Sequence, residues 1–221
     1  METMTFYKLL NLLMTTFCLG GIGITMNLVL SVHAIESPQY TVVRSESEFE
    51  IRLYKESSWM SALVQGTSFQ KSTKDGFHRL YQYMHGANLN SYHMAITAPV
   101  LTSIISSSSQ GYNYSIKIYL SVKYRGNNTP QPNTELNLQL DKWRTHCIAV
   151  RKFTGFAKDD NVNEEIETLI SSLNKHLPGK SVIIDDKSSS IAQYNASFRI
   201  SGRLNEVWMN VSGFTAEGCP S

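Results

Sequence analysis

Cysteine is scarce, with three residues in 221, and neither sign of charge is in excess: 20 Lys and Arg face 18 Asp and Glu, for a net charge of +2. A balance this even excludes the basic stripe that binds a phosphate backbone, so nucleic acid is not an expected partner. Catalytic signatures are missing too. There is no Gly-x-Ser-x-Gly elbow, P-loop, Gly-x-Gly-x-x-Gly turn or His-Glu-x-x-His pair, the arrangements that present a nucleophile, a phosphate or a metal. The acidic neighbours Asp159-Asp160 and Asp185-Asp186 are adjacent in sequence, so their carboxylates diverge instead of forming an acid–base couple. The chain is read as non-enzymatic. The few cysteines and the scattered His93, His146 and His176 offer no zinc spacing, and no metal site is expected. Hydrophobic residues make up 42% and charged residues 17%. That composition excludes a disordered tail, a collagen-like chain and a many-pass membrane protein, and leaves one globular domain.

What is present is distributed unevenly. Only Glu2 and Lys8 carry charge before Ile35, and residues 9–32 carry none. Lys8, the apolar run and the closing Val32-His33-Ala34 have the order of a secretory signal peptide, so residues 1–34 are expected to be a leader and 35–221 a single mature domain. An uncleaved anchor is the alternative, and only then is a membrane a partner. Either way the domain is sent into the secretory pathway, with secretion as its expected fate. Four acceptor sequons begin at Asn113, Asn127, Asn195 and Asn210 and fit a glycoprotein, with Asn127 in a Pro- and Asn-rich loop the best placed. The mature part keeps Cys147 and Cys219, which can pair in an oxidising compartment or stay free.

Periodicity organises the rest. Residues 49–54, 59–65, 95–105 and 114–124 read as strands, the last with Tyr114, Ile116, Ile118, Leu120 and Val122 on one face. Between the second and third, residues 68–85 change to helical spacing through Phe69, Thr73, Phe77, Leu80 and Met84, with Gly86 to end the helix. The second half repeats the plan. Residues 136–140 and 146–153 are expected to form a strand pair, followed by a helix carrying Val162, Ile166, Leu169, Leu173 and Leu177, then strands at 190–198 and 206–211. Asn161 and Glu164 have capping-box spacing, and Lys175, His176 and Pro178-Gly179 mark the far end. Two strand–strand–helix–strand–strand units imply an α+β fold.

The segments Phe49-Glu-Ile-Arg-Leu-Tyr54, Ile96-Thr-Ala-Pro-Val100, Phe153-Thr-Gly-Phe-Ala157 with Asp159-Asp160, Gln193-Tyr194, and Ser201-Gly-Arg-Leu-Asn-Glu-Val-Trp208 occur in one order. Through them the chain resembles the SOUL haem-binding protein family, its secreted plant members most closely. The resemblance implies a distorted antiparallel β-barrel flanked by two helices, with a pseudo-twofold internal repeat. Within these blocks Arg203 can pair with Glu206 and Arg52 with Glu50, Gly202 serves a turn, and Trp208 reads as a core anchor.

The resemblance also implies a tetrapyrrole ligand, haem or another porphyrin, held without catalysis by a carrier or scavenger. Some relatives carry an axial histidine in the first block, where this chain has Leu53. Helix one then supplies the candidate site, with Phe77, Leu80, Tyr81 and Met84 as apolar surface and Lys74 and Arg79 as partners for the propionates. Without an axial ligand, iron is expected to matter little to affinity. The alternative is a haem-free secreted glycoprotein that binds a protein or another apolar ligand.

Overall fold

A computed structural model describes residues 35–106, 112–177, 183–196, 198–215 and 218–220. The expected leader lies outside the described residues, as does the expected terminator Pro178-Gly179. Among the described residues the chain runs β1 (Tyr40–Ser45), β2 (Glu50–Tyr54), β3 (Ser57–Gly66), α1 (Phe69–Met84), β4 (Val100–Ser106), β5 (Tyr112–Leu120), β6 (Leu138–Trp143), β7 (His146–Thr154), α2 (Val162–His176), β8 (Ile183–Gln193) and β9 (Leu204–Ser212). The strands form one antiparallel sheet in the order β1-β2-β7-β9-β8-β4-β5-β3-β6. The trios β7-β9-β8 and β4-β5-β3 mirror each other about the β8–β4 seam, which is the expected internal repeat.

Two short links decide the shape of that sheet. β6 and β7 are separated by Arg144 and Thr145 alone, yet β7 is third and β6 ninth in the strand order. Six strand spacings in a flat sheet would measure about 29 Å, whereas three Cα steps span at most about 11 Å. The sheet must therefore curl. The link Lys55-Glu56 between β2 and β3 imposes the same closure, and the result is a half-barrel. These links also correct an expectation: β6 does not pair with β7. It pairs with β3, and β7 pairs with β2 and β9.

Both helices cover one face of the sheet, over a core in which Leu80, Tyr83, Ile116, Leu169, Leu173 and Met209 are buried. Ser68 caps α1, its hydroxyl accepting from the Lys71 amide at 3.2 Å, and Asp159 accepts from the Ser68 hydroxyl and the Phe69 amide. Gly76 lets α1 lie tightly on β5, because a Cβ there would stand 2.6 Å from Ile116 Cδ1. Past the helix Gly86 takes φ +101°, the left-handed conformation that glycine tolerates best. In α2 the acidic first turn and basic last turn are as expected, but the capping box is not. The Asn161 side chain instead bonds the loop before it, accepting from the Lys158 amide and donating to the Phe156 carbonyl.

Cys147 and Cys219 form a disulfide that ties β7 to the end of the chain. β4 starts at Val100, later than expected, since Pro99 has no amide to give the ladder. β5 stops at Leu120 and passes into a 3-10 turn at Val122–Tyr124, and β8 runs from Ile183 to Gln193 instead of 190–198. Gly202, at φ +60°, makes the turn before β9.

Candidate functional site

The face turned away from the helices has its own core, built from strand residues: Tyr54, Trp59, Leu101, Tyr119, Ile148, Val150, Ala192 and Trp208, with Trp143 and Tyr194 packed against them. At one end lies a buried charge pair. Arg52 on β2 and Glu206 on β9 meet through two contacts, Nη1 to Oε2 at 3.1 Å and Nη2 to Oε1 at 3.0 Å. Glu206 Oε2 also accepts from the Tyr194 hydroxyl at 2.7 Å and from the Trp208 indole at 2.8 Å. Burial disfavours the Arg52 charge, but the bonds to Glu206 outweigh it and hold the guanidinium firmly protonated. The same burial pushes the Tyr54 and Tyr194 hydroxyls upward, with the Glu206 carboxylate adding to the rise for Tyr194.

Trp208 carries this order into a cavity of about 360 Å³ on the same face. It is lined by Trp143, Trp208, Ile148 and His146, by the polar Ser103, Ser190 and Asn210, and by the basic Lys117, Lys142 and Arg144. Strand alternation places His146, Ile148 and Val150 together on this face while Cys147 and Ala149 join the helical core. Trp143 packs against Trp59 at 4.8 Å and against the His146 ring edge-on at 5.1 Å. Lys117 is engaged, paired with Asp141 at 2.9 Å and set over the Trp143 ring. Lys142 and Arg144 are exposed, and their charged groups have no partner among the described residues. Burial pushes the His146 imidazole below its ordinary value, against the opposing effect of its bond to the Arg144 carbonyl. An aromatic slot with free cations suits a flat, anionic, partly apolar ligand.

The candidate residues on α1 are divided by the structure. Leu80 and Met84 point into the core, while Tyr81 is exposed and stacked on His85 at 3.8 Å. Phe77 is half-buried with its ring 6.2 Å from Tyr81, and Lys74 is exposed one turn before it. Arg79 donates to the carbonyls of Leu63, Leu136 and Asn137. Lys74 and Tyr81 thus lie on the exposed side of α1, Phe77 packs partly against the helical core with Leu80 and Met84, and Arg79 ties the helix to neighbouring carbonyls. In the family-like blocks the Arg52–Glu50 pair forms at 2.7 Å. Arg203 does not reach Glu206: it donates to the carbonyls of Asn195, Ala196 and Arg199 and lies over Phe156. The expected pairing fails because Arg52 saturates Glu206 from a strand 154 residues away.

The family profile described as "SOUL heme-binding protein" matches residues 35–210. Heme-binding protein 2 of Homo sapiens is 26% identical over 183 residues, covering 81% of this chain and 87% of that protein. Heme-binding protein 1 of Xenopus laevis is 26% identical over 160 residues, 72% of this chain and 82% of its own length. Among solved structures, the EcmrR C-terminal domain superposes with a TM-score of 0.51 at 10% identity, over 75% of this chain and 97% of that one, a likeness of fold. The family and these relatives support haem or another tetrapyrrole as a non-catalytic ligand.

Proposed function

We propose that this chain, which belongs to the SOUL heme-binding protein family, binds a haem or related porphyrin at the cavity beside Trp143 and Trp208. The observation that carries this reading is the meeting of two indole walls with two unpaired cations, Lys142 and Arg144, at one opening. The half-buried Trp143 indole offers stacking surface to the ring above the buried Trp208, and the cations offer charge-assisted bonds to its propionates. The cavity is at the small end of the roughly 300–1,000 Å³ usual for ligand pockets, so the ring is only partly enclosed and can exchange. That suits a carrier or scavenger.

The same reading places the mature protein, residues 35–221, in the secretory pathway or outside the cell as a glycoprotein. A disulfide between Cys147 and Cys219 supports it, as does Asn127, exposed in a 3-10 turn. Intact mass of secreted protein before and after deglycosylation tests this part. A full-length unglycosylated product refutes it.

The ligand is tested by titrating wild type with haemin and with iron-free protoporphyrin, following the Soret band and tryptophan quenching. Lys142→Glu with Arg144→Glu should weaken both ligands by more than about tenfold, the equivalent of about 1.4 kcal/mol. Lys74→Glu with Tyr81→Ala, on the outer side of α1, should leave both within about twofold. The opposite pattern moves the site to helix one, and no binding by wild type above an albumin-like background leaves the haem-free glycoprotein.

A further inference from the structure

Among the described residues His146 is the only histidine that lines the aromatic cavity. His78 faces Gln82, His85 stacks on Tyr81 near His93, and His176 lies beside Glu46 and Glu48. The two nitrogens of His146 have different surroundings. Nδ1 is 2.6 Å from the Arg144 carbonyl oxygen, which can only accept, so Nδ1 carries the proton. Nε2 then holds a free lone pair, and it has no protein partner among the described residues. The ring is also fixed. Its backbone opens β7 opposite Tyr54, the next residue is anchored by the disulfide, and Trp143 packs against its edge.

A metal-binding imidazole needs to be neutral, with one nitrogen oriented by a second-shell acceptor and the other open. In His146 the Arg144 carbonyl orients Nδ1, and Nε2 is left over. We propose that His146 Nε2 is an axial ligand to the iron of a haem bound in this cavity. The assignment rests on the tetrapyrrole reading above and adds to it a residue and a selectivity for iron. It uses the opposite face of β2 and β7 from Leu53, which packs toward the helical core. An axial histidine on that face is therefore not required for iron to be recognised.

The test compares ferric haemin with iron-free protoporphyrin on full-length wild type, His146→Ala and His146→Gln, with circular dichroism melts confirming that each is folded. Wild type should bind haemin at least about tenfold more tightly than the iron-free ring and show the Soret position and electron paramagnetic resonance signal of imidazole-ligated ferric iron. Both variants should lose that signal and bring the two affinities together while keeping protoporphyrin within about threefold. Added imidazole should restore the signal to His146→Ala. Folded variants that keep the wild-type haemin spectrum, or that lose both ligands alike, overturn the assignment but leave porphyrin binding standing. Wild type that binds neither ligand overturns both.

Discussion

Changing Glu206 to Gln removes one charge from a buried group that is bonded on every side. The carboxylate is 2% exposed and accepts four bonds, from both Arg52 amines, the Tyr194 hydroxyl and the Trp208 indole. A glutamine of the same shape has one acceptor oxygen and directs two N–H groups at donors. Arg52 then keeps its charge with only Glu50 to balance it. Breaking one side of a buried ion pair costs about 3–5 kcal/mol. At roughly 2–4 °C per kcal/mol for a domain of this size, the melting temperature should fall by about 6–20 °C. Circular dichroism melts of the disulfide-intact protein provide the measurement. Because the neutral amide oxygen is a weaker acceptor for the Trp208 indole than the carboxylate, its fluorescence should shift as well, and porphyrin affinity should fall with it. Arg52→Met combined with Glu206→Leu should recover much of the loss, since a buried pair replaced by apolar side chains is often close to neutral. A fall below about 2 °C for Glu206→Gln, or strictly additive losses in the double variant, would refute the reasoning.

Gly76→Ala should destabilise the protein by about 1–3 kcal/mol in urea titrations, although alanine is the better helix former by about 1 kcal/mol, because its Cβ meets Ile116; a more stable variant would show that α1 lifts freely from β5. Cys147→Ser with Cys219→Ser opens a crosslink spanning 72 residues, so the unfolded chain should gain entropy worth about 4 kcal/mol; an unchanged urea midpoint would contradict this. For Glu50, partial burial works to raise the pKa, but bonds from Lys152 and Arg52 prevail and hold it below 4.5. Its folded value lies below its unfolded value, so its stabilisation is complete above about pH 4.5 and is lost as the pH falls through the folded value. Glu50→Gln should therefore flatten the acid limb of a stability–pH profile, and an identical limb would count against the pairing.

Much of this fold is local and was legible in the sequence. The helical stripe Phe69, Leu80, Met84 and the alternation Tyr114, Ile116, Ile118 say which side chains turn inward, because each periodicity is set by one element's own geometry. Gly86 marks the end of α1 by its backbone freedom, and outside the expected leader only Cys147 and Cys219 are available to pair. Pairing between distant strands is another matter. Nothing near Arg52 or Glu206 names the other, and the adjacent Arg203 is a better local guess. Nor does the spacing of His146 point to Trp208. Its one sequence signal is alternation with Ile148 and Val150, which assigns it a face but no neighbours. Those neighbours follow from the two-residue links at Lys55-Glu56 and Arg144-Thr145, which bend the far strands of the sheet toward each other. Only that closure brings Trp143, His146 and Trp208 around one cavity, because a cavity is formed by surfaces meeting across the sheet and no single segment contains it.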